Sequence, residues 1–350
     1  MKKQLITLLI LFHTVLCIAQ THPYHPFTSG DMPNDTCISR WKQAGSPTYK
    51  EQKCPFLVIN AKEDWGISSN GSSNGNDNSK KIDDSISHFE DIHPSKQLLI
   101  YFPAGAYYFD KPISIKGYKN IVFKGAGADL TSLVAYHKGI GINITEDASG
   151  IGIEDLTITR QGSIVQGMSF DINGGFNIAF FNAHDCWVSG VYSFLPRKAH
   201  IFLGGICDEG AVKNITITGC TFNFAQGYGG KGQGSGVLLS GASYCLVENN
   251  IFHFLRHSIN LQDKTEFNVI AYNASFDMHW TSEDDGSFPY EYVMDPSDLC
   301  FHGNEGNCIT GPAYNLIEAN RLNVAIFDLT HGANGHYNMI FRTHLQDEFK

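Results

Sequence analysis

The sequence predicts an all-β chain, a single-stranded right-handed parallel β-helix with a short N-terminal capping helix. Three observations carry that prediction. A pattern returns about every two dozen residues. Each copy alternates apolar and polar positions, as a half-buried strand does. Asparagines return at matching places in successive copies.

The copies can be followed in order. Segments 214–222, 244–252 and 268–276 align, 189–194 precedes them in phase, and 315–322 and 338–345 follow. Their spacings are 28 (194 to 222), 30 (222 to 252), 24 (252 to 276), 47 across an insertion (268 to 315) and 23 (315 to 338). Such a step holds three short strands and their turns, and no single coil buries its inner face, so the coils must stack. Asn249, Asn273 and Asn320 fall in register in this alignment. Asparagine tolerates left-handed turns, and stacked amides hydrogen-bond from coil to coil. A leucine-rich horseshoe would show its leucine signature, and a propeller would need about 40 residues per blade; neither fits.

The remaining elements frame that repeat. Lys2 and Lys3, the apolar stretch 5–16 and the site after Ala19 read as a signal peptide over 1–19. An uncleaved anchor and lipidation of Cys17 are the alternatives. The expectation is a secreted, periplasmic or cell-surface protein with no membrane span once the signal is removed. Residues 20–56 read as an irregular arm and 57–350 as the β-helix domain. Within it, 66–79 is a flexible loop by composition. Ile82, Ile86 and Phe89 mark one face of a capping helix at about 80–91, and 277–311 is a long insertion.

Composition narrows the function. Gly counts 35, charged residues are only 17%, and the net charge is −10, more acidic by two once Lys2 and Lys3 leave. That argues against nucleic acid as a partner. Nine cysteines include Cys17. Export permits disulfides, with Cys37–Cys54 and Cys300–Cys308 the candidates near in sequence. Cys186, Cys220 and Cys245 lie in strand patterns and read equally well as buried thiols. No cysteine–histidine spacing resembles a zinc site, and nothing calls for an organic cofactor.

Four features stand out: Asp64-Trp65-Gly66, the loop and helix after it, the turn Tyr101-Phe102-Pro103-Ala104-Gly105-Ala106-Tyr107, and Lys124-Gly125-Ala126-Gly127. In these the chain resembles the pectate-lyase superfamily. The resemblance spans about 57–345. It implies a pectin-lyase-like fold in which the first strand of each coil faces a carbohydrate groove. The polygalacturonase hydrolase signature is not complete: Asp284-Asp285 and His302-Gly303 stand as isolated fragments and no Arg-x-Lys follows.

Those groove strands are placed at 168–172, 200–204, 236–240, 258–262, 298–302 and 325–329. With Phe170, Leu203, Leu239, Leu261 and Phe301 inward, Asp171, Gly204, Ser240, Gln262, His302 and Asp328 point outward, and Asn260 joins the same face. Arg197, Lys198, Lys231, Arg256, His257, His331 and His336 form a basic rim beside them. β-Elimination on a uronate needs a cation for the substrate carboxylate and a base for the α-proton. Arg256 suits the first role; His257, His302 or Lys231 suits the second. Asn260, Gln262, Asp328, His331 and Trp280 are candidate substrate contacts. Asp284 and Asp285 are candidate Ca2+ ligands.

The expected function is therefore a polysaccharide lyase on an acidic glycan. A non-catalytic carbohydrate-binding or adhesive surface protein is the alternative, and a glycoside hydrolase using the carboxylates of 283–285 is the next. Each bland reading stays open: Arg256 and His257 as turn caps, 283–285 as a solvated acidic loop, and 331–336 as a plain turn.

Overall fold

The computed structural model describes residues 35–50, 56–69, 78–93, 96–162, 175–204, 212–228, 233–276, 297–303, 308 and 310–346. Among the described residues, sheets A, B and C, of ten, nine and eight strands, run along a solenoid, and sheet D, of four strands, spans its middle coils. All their strand pairings are parallel. Sheet A runs from Leu57–Asn60 to Met339–Phe341, and sheet B from Gly105–Phe109 to His344–Leu345. Sheet C runs from Ile113–Lys116 to Ala325–Phe327, and sheet D is four two-residue strands from Ala148–Ser149 to Ala242–Ser243.

Alternation builds the core. In sheet C, Ile201, Leu203, Val237, Leu239, Ile259, Leu261, Leu299 and Phe301 all face inward into one apolar column with residues of sheets A and B. No coil could bury these groups alone, so stability comes from stacking. The expected capping helix is present as Asn78–Ile92, with Ile82, Ile86 and Phe89 buried against the first coils. Asn78 fixes its start: its Nδ2 donates to Ser68 O (3.0 Å) and Tyr108 O (3.1 Å), and its Oδ1 accepts from Ser68 N (3.0 Å). Ile86→Ala should cost about 2–5 kcal/mol, since it leaves a cavity where helix meets coil. Denaturant titration checks this; a change under ~1 kcal/mol would mean the cap is not part of the core.

Two sequence expectations shift by one residue. The strand register pairs Ser193 with Phe222 and Phe252 with Ser275, so those steps are 29 and 23 residues, not 28 and 24. Phe194 and Phe276 looked like core aromatics but are partly exposed outer residues, stacked on Tyr192 and His253 respectively. The asparagine ladder accordingly runs through Asn250, Asn273 and Asn320. Asn250 Nδ2 donates to Asn273 Oδ1 (3.0 Å) and Asn273 Nδ2 to Asn320 Oδ1 (2.9 Å). Asn249 instead takes the left-handed turn position, φ 54°, shared by Tyr272 and Ala319. A second ladder, Asn268–Asn315–Asn338, lies at the opposite end of the sheet A strands.

The arm is more ordered than expected. Helix Asp35–Trp41 lays Trp41 on Val269, Ala271 and Leu316 of the outer face of sheet A, and the Trp41 indole donates to Tyr314 O (2.7 Å). Seven residues are too few for helical periodicity to show. Both predicted disulfides fail: Cys37 and Cys300 remain thiols, whereas Cys308 is disulfide-bonded. Cys186, Cys220 and Cys245 are buried thiols whose pKa burial pushes up to about 12.

One buried histidine makes acid stability testable. His200 sits inside the coil, its Nδ1 2.8 Å from Ser193 Oγ and its ring edge-on to Phe222. Burial, helped by the charge of Arg160, lowers its pKa to about 3. The unfolded chain therefore takes up a proton near pH 6.5 that the folded chain refuses. This contribution is intact above that pH and is lost as pH falls toward 3, at up to about 1.4 kcal/mol per unit. Asp298, whose pKa burial raises, acts with opposite sign, its contribution being lost as pH rises through its folded value. Urea midpoints at pH 7 and pH 5 should show a smaller drop for His200→Gln than for the wild type; equal drops would contradict this.

Candidate functional site

The outer face of sheet C has the register the sequence predicted. Gly204 pairs with Ser240 and Ser240 with Gln262, while Leu261, Phe301 and Phe327 align one residue earlier, so His302 and Asp328 continue the file. For the coil before Ala199–Gly204 the sheet C strand is Ile178–Phe181. The segment 168–172 proposed for it, with Phe170 and Asp171, lies outside the described residues.

The face changes character along its length. At the earlier coils it is apolar and aromatic: Phe176 stacks on Phe202 at 4.6 Å, Phe181 tilts against the same ring, and Ala179, Ala199 and Leu238 complete the patch. Ser240 is buried, its hydroxyl donating to Asp263 Oδ2 (2.6 Å), and Gln262 Nε2 lies 3.4 Å from the same oxygen. The accessible polar groups begin at Gln262 and continue through His302 to Asp328.

At that end three side chains converge. Asp328 Oδ2 lies 2.7 Å from His331 Nδ1 and 3.6 Å from His302 Nε2. The two imidazoles stack with centroids 4.2 Å apart. Thr330 fixes the carboxylate's other oxygen, since both its hydroxyl and its N–H donate to Asp328 Oδ1. Partial burial works against the charge. The bonds from Thr330 and His331 and the charge of His302 outweigh it, holding Asp328 down at about 2. Exposure rises across the cluster, from 12% for His302 and 19% for Asp328 to 47% for His331.

Loop geometry brings His331 into place. Gly303 N donates to Asn334 Oδ1 (3.2 Å), and Asn334 Nδ2 donates to Asp328 O (3.3 Å). Gly303 has φ +70°, and a Cβ there would stand 2.6 Å from Gly332 O. Only glycine lets the 330–334 turn approach His302 so closely.

The other expected site residues divide. Arg256 and His257 are not on an exposed rim: they are 4% and 1% exposed. They occupy the corner entering strand His257–Gln262. There Arg256 N donates to Gly234 O (2.8 Å) and Ser297 N donates to Arg256 O (2.9 Å), while His257 Nδ1 lies 2.9 Å from Ser297 Oγ. Burial first, then the charges of Arg256 and His302, keeps His257 well below its ordinary pKa. Asn260 is on the predicted face, opposite Leu238 and Cys300, but is 1% exposed. Arg197 donates to Lys138 O and the Lys198 ammonium lies over Phe176, so both cations sit beside the aromatic patch. Lys231, Trp280, Asp284 and Asp285 lie outside the described residues, as does the expected signal segment. Sequence reasoning missed Thr330, Asn334 and Asp263. An Asp-x-Thr-His run is the one local signal that could have suggested Asp328 and His331 as partners.

No protein-family model matches the chain, and no curated protein matches it in sequence. Solved structures do. An exopolygalacturonase of Thermotoga maritima covers 90% of this chain and 80% of its own, with 13% identity and a TM-score of 0.54. This chain shares the parallel β-helix fold of that structure. More distant matches to this β-helix include an alginate lyase from Paenibacillus sp. (77% of this chain and 97% of that one, 11% identity, TM-score 0.41). Another is a surface adhesin of Streptococcus pneumoniae (84% and 82%, 12% identity, TM-score 0.44). At such identities the likeness is one of fold.

Proposed function

We propose that the protein is an exported carbohydrate-active enzyme that binds an acidic glycan across the outer face of sheet C and cleaves it by β-elimination. The observation that carries this reading is the His302–Asp328–His331 cluster. A carboxylate pinned by Thr330 orients an imidazole at the accessible end of the groove face, the arrangement that general-base chemistry needs. The half-buried Phe181 and Phe202 give the sugar rings a surface to stack on, and Gln262 offers an amide between patch and cluster. The exopolygalacturonase that shares the fold is named for a uronate polymer, which supports the choice of substrate class. Arg256, buried in its corner, no longer serves as the expected partner of the substrate carboxylate.

The test is a panel of uronate polysaccharides, read by two signals. Ultraviolet absorbance from an unsaturated uronate together with new reducing ends supports the reading. New reducing ends alone would replace it with hydrolysis. Binding without product would replace it with the adhesive reading.

A further inference from the structure

We infer that His302, Asp328 and His331 form a binding site for a divalent transition-metal ion of the zinc class. The three residues present two imidazole nitrogens and one carboxylate oxygen, all within 4.8 Å of one another. Bonds of about 2.0–2.2 Å to such an ion place neighbouring donors about 3.3 Å apart. The observed separations of 3.6 Å and 2.7 Å around Asp328 Oδ2 bracket that value. Small side-chain shifts suffice, and His331 stands on an exposed turn where they are easily made.

The donor set chooses the metal. Imidazole suits zinc, nickel, cobalt and copper, whereas Ca2+ takes six to eight oxygens. The surroundings also resemble a built site. Thr330 fixes Asp328 Oδ1 so that Oδ2 faces the two rings, and Asn334 ties the turn of His331 to the loop of His302. Outer contacts of this kind orient ligands and sustain affinity. Three protein donors leave coordination positions open, which is the habit of reactive and not of structural sites. The open side faces solvent through His331, where a carboxylate or hydroxyl of a glycan completes the shell. That last step alone rests on the glycan reading; the binding of the ion does not. An imidazole nitrogen that ligates the ion cannot also take a proton, so occupation by the ion and the general-base role of the proposed function exclude one another at that nitrogen.

The experiment is titration of chelator-treated, dialysed protein with Zn2+ by calorimetry, without substrate, and with Co2+ by visible absorbance. Wild type should bind one equivalent of Zn2+, with Ca2+ giving no comparable heat, and bound Co2+ should show nitrogen-ligand bands. His331→Ala, on an exposed turn and checked for wild-type circular dichroism, should weaken Zn2+ binding at least ~10-fold and abolish the Co2+ bands. His302→Ala, checked for wild-type circular dichroism, should do the same. No saturable Zn2+ binding by wild type would overturn the inference. So would one equivalent that survives both substitutions, because the chain holds fifteen histidines and the ion would then sit elsewhere. A site that binds Zn2+ in a protein that turns over no glycan would leave the inference standing and remove the enzymatic reading.

Discussion

Asp328→Asn should lower turnover of an acidic glycan by about 10²–10⁴-fold, the range contributed by a positioned acid–base group. The substitution keeps the shape of the side chain, and an amide oxygen can still accept from Thr330. It removes the charge that Oδ2 presents to His331 and His302. The residue directly follows the last strand of sheet C, Ala325–Phe327, outside the apolar column, so the thermal midpoint should move by a few degrees at most. Initial rates at saturating and limiting substrate, with circular dichroism as the folding control, check the result. Unchanged turnover would show that the cluster does not take part in chemistry.

The largest loss of stability should follow Asn273→Ala. Asn273 Oδ1 accepts from the N–H (3.1 Å) and Nδ2 (3.0 Å) of Asn250, and its Nδ2 donates to Val247 O (2.9 Å) and Asn320 Oδ1 (2.9 Å). Truncation removes the acceptor of two Asn250 donors, its N–H and one Nδ2 hydrogen, in the interior. Each such group costs about 1–3 kcal/mol. Asn249→Ala is the control. Its side chain is not in the ladder, and its cost, set by alanine in a left-handed position, should be about 1–2 kcal/mol. Urea unfolding of the two variants should therefore differ clearly. Equal costs would contradict the ladder.

These variants also mark where the sequence was legible. Register in sheet C could be read because Leu239, Leu261 and Phe301 are unambiguous core residues, and strict alternation then sends Gln262, His302 and Asp328 outward. In sheet B the same logic slipped by one residue. Outer aromatics such as Phe194, edge-on to Phe224, and Phe276, stacked on His253, pack from coil to coil and look like core in a sequence. The capping helix was legible from Ile82, Ile86 and Phe89 because its apolar face is one-sided.

The site was only half legible for a related reason. Residues on strands follow the pleat, but residues on turns follow contacts made far away in sequence. His331 reaches His302 because Gly303 admits the approach of Gly332 and Asn334 ties the loops, which no spacing rule reports. Arg256 and His257 looked accessible because they precede a groove strand. The corner itself is laddered to Gly234 on one side and Ser297 on the other, and both side chains are buried there.

The most direct measurement is a crystal structure of the protein soaked with a short oligouronate. The account predicts the sugar on the outer face of sheet C, its rings near Phe181 and Phe202 and a carboxylate or hydroxyl within hydrogen-bond reach of His302 or His331. Sugar bound instead along the outer face of sheet A or sheet B, with the His302–Asp328–His331 cluster untouched, would contradict it.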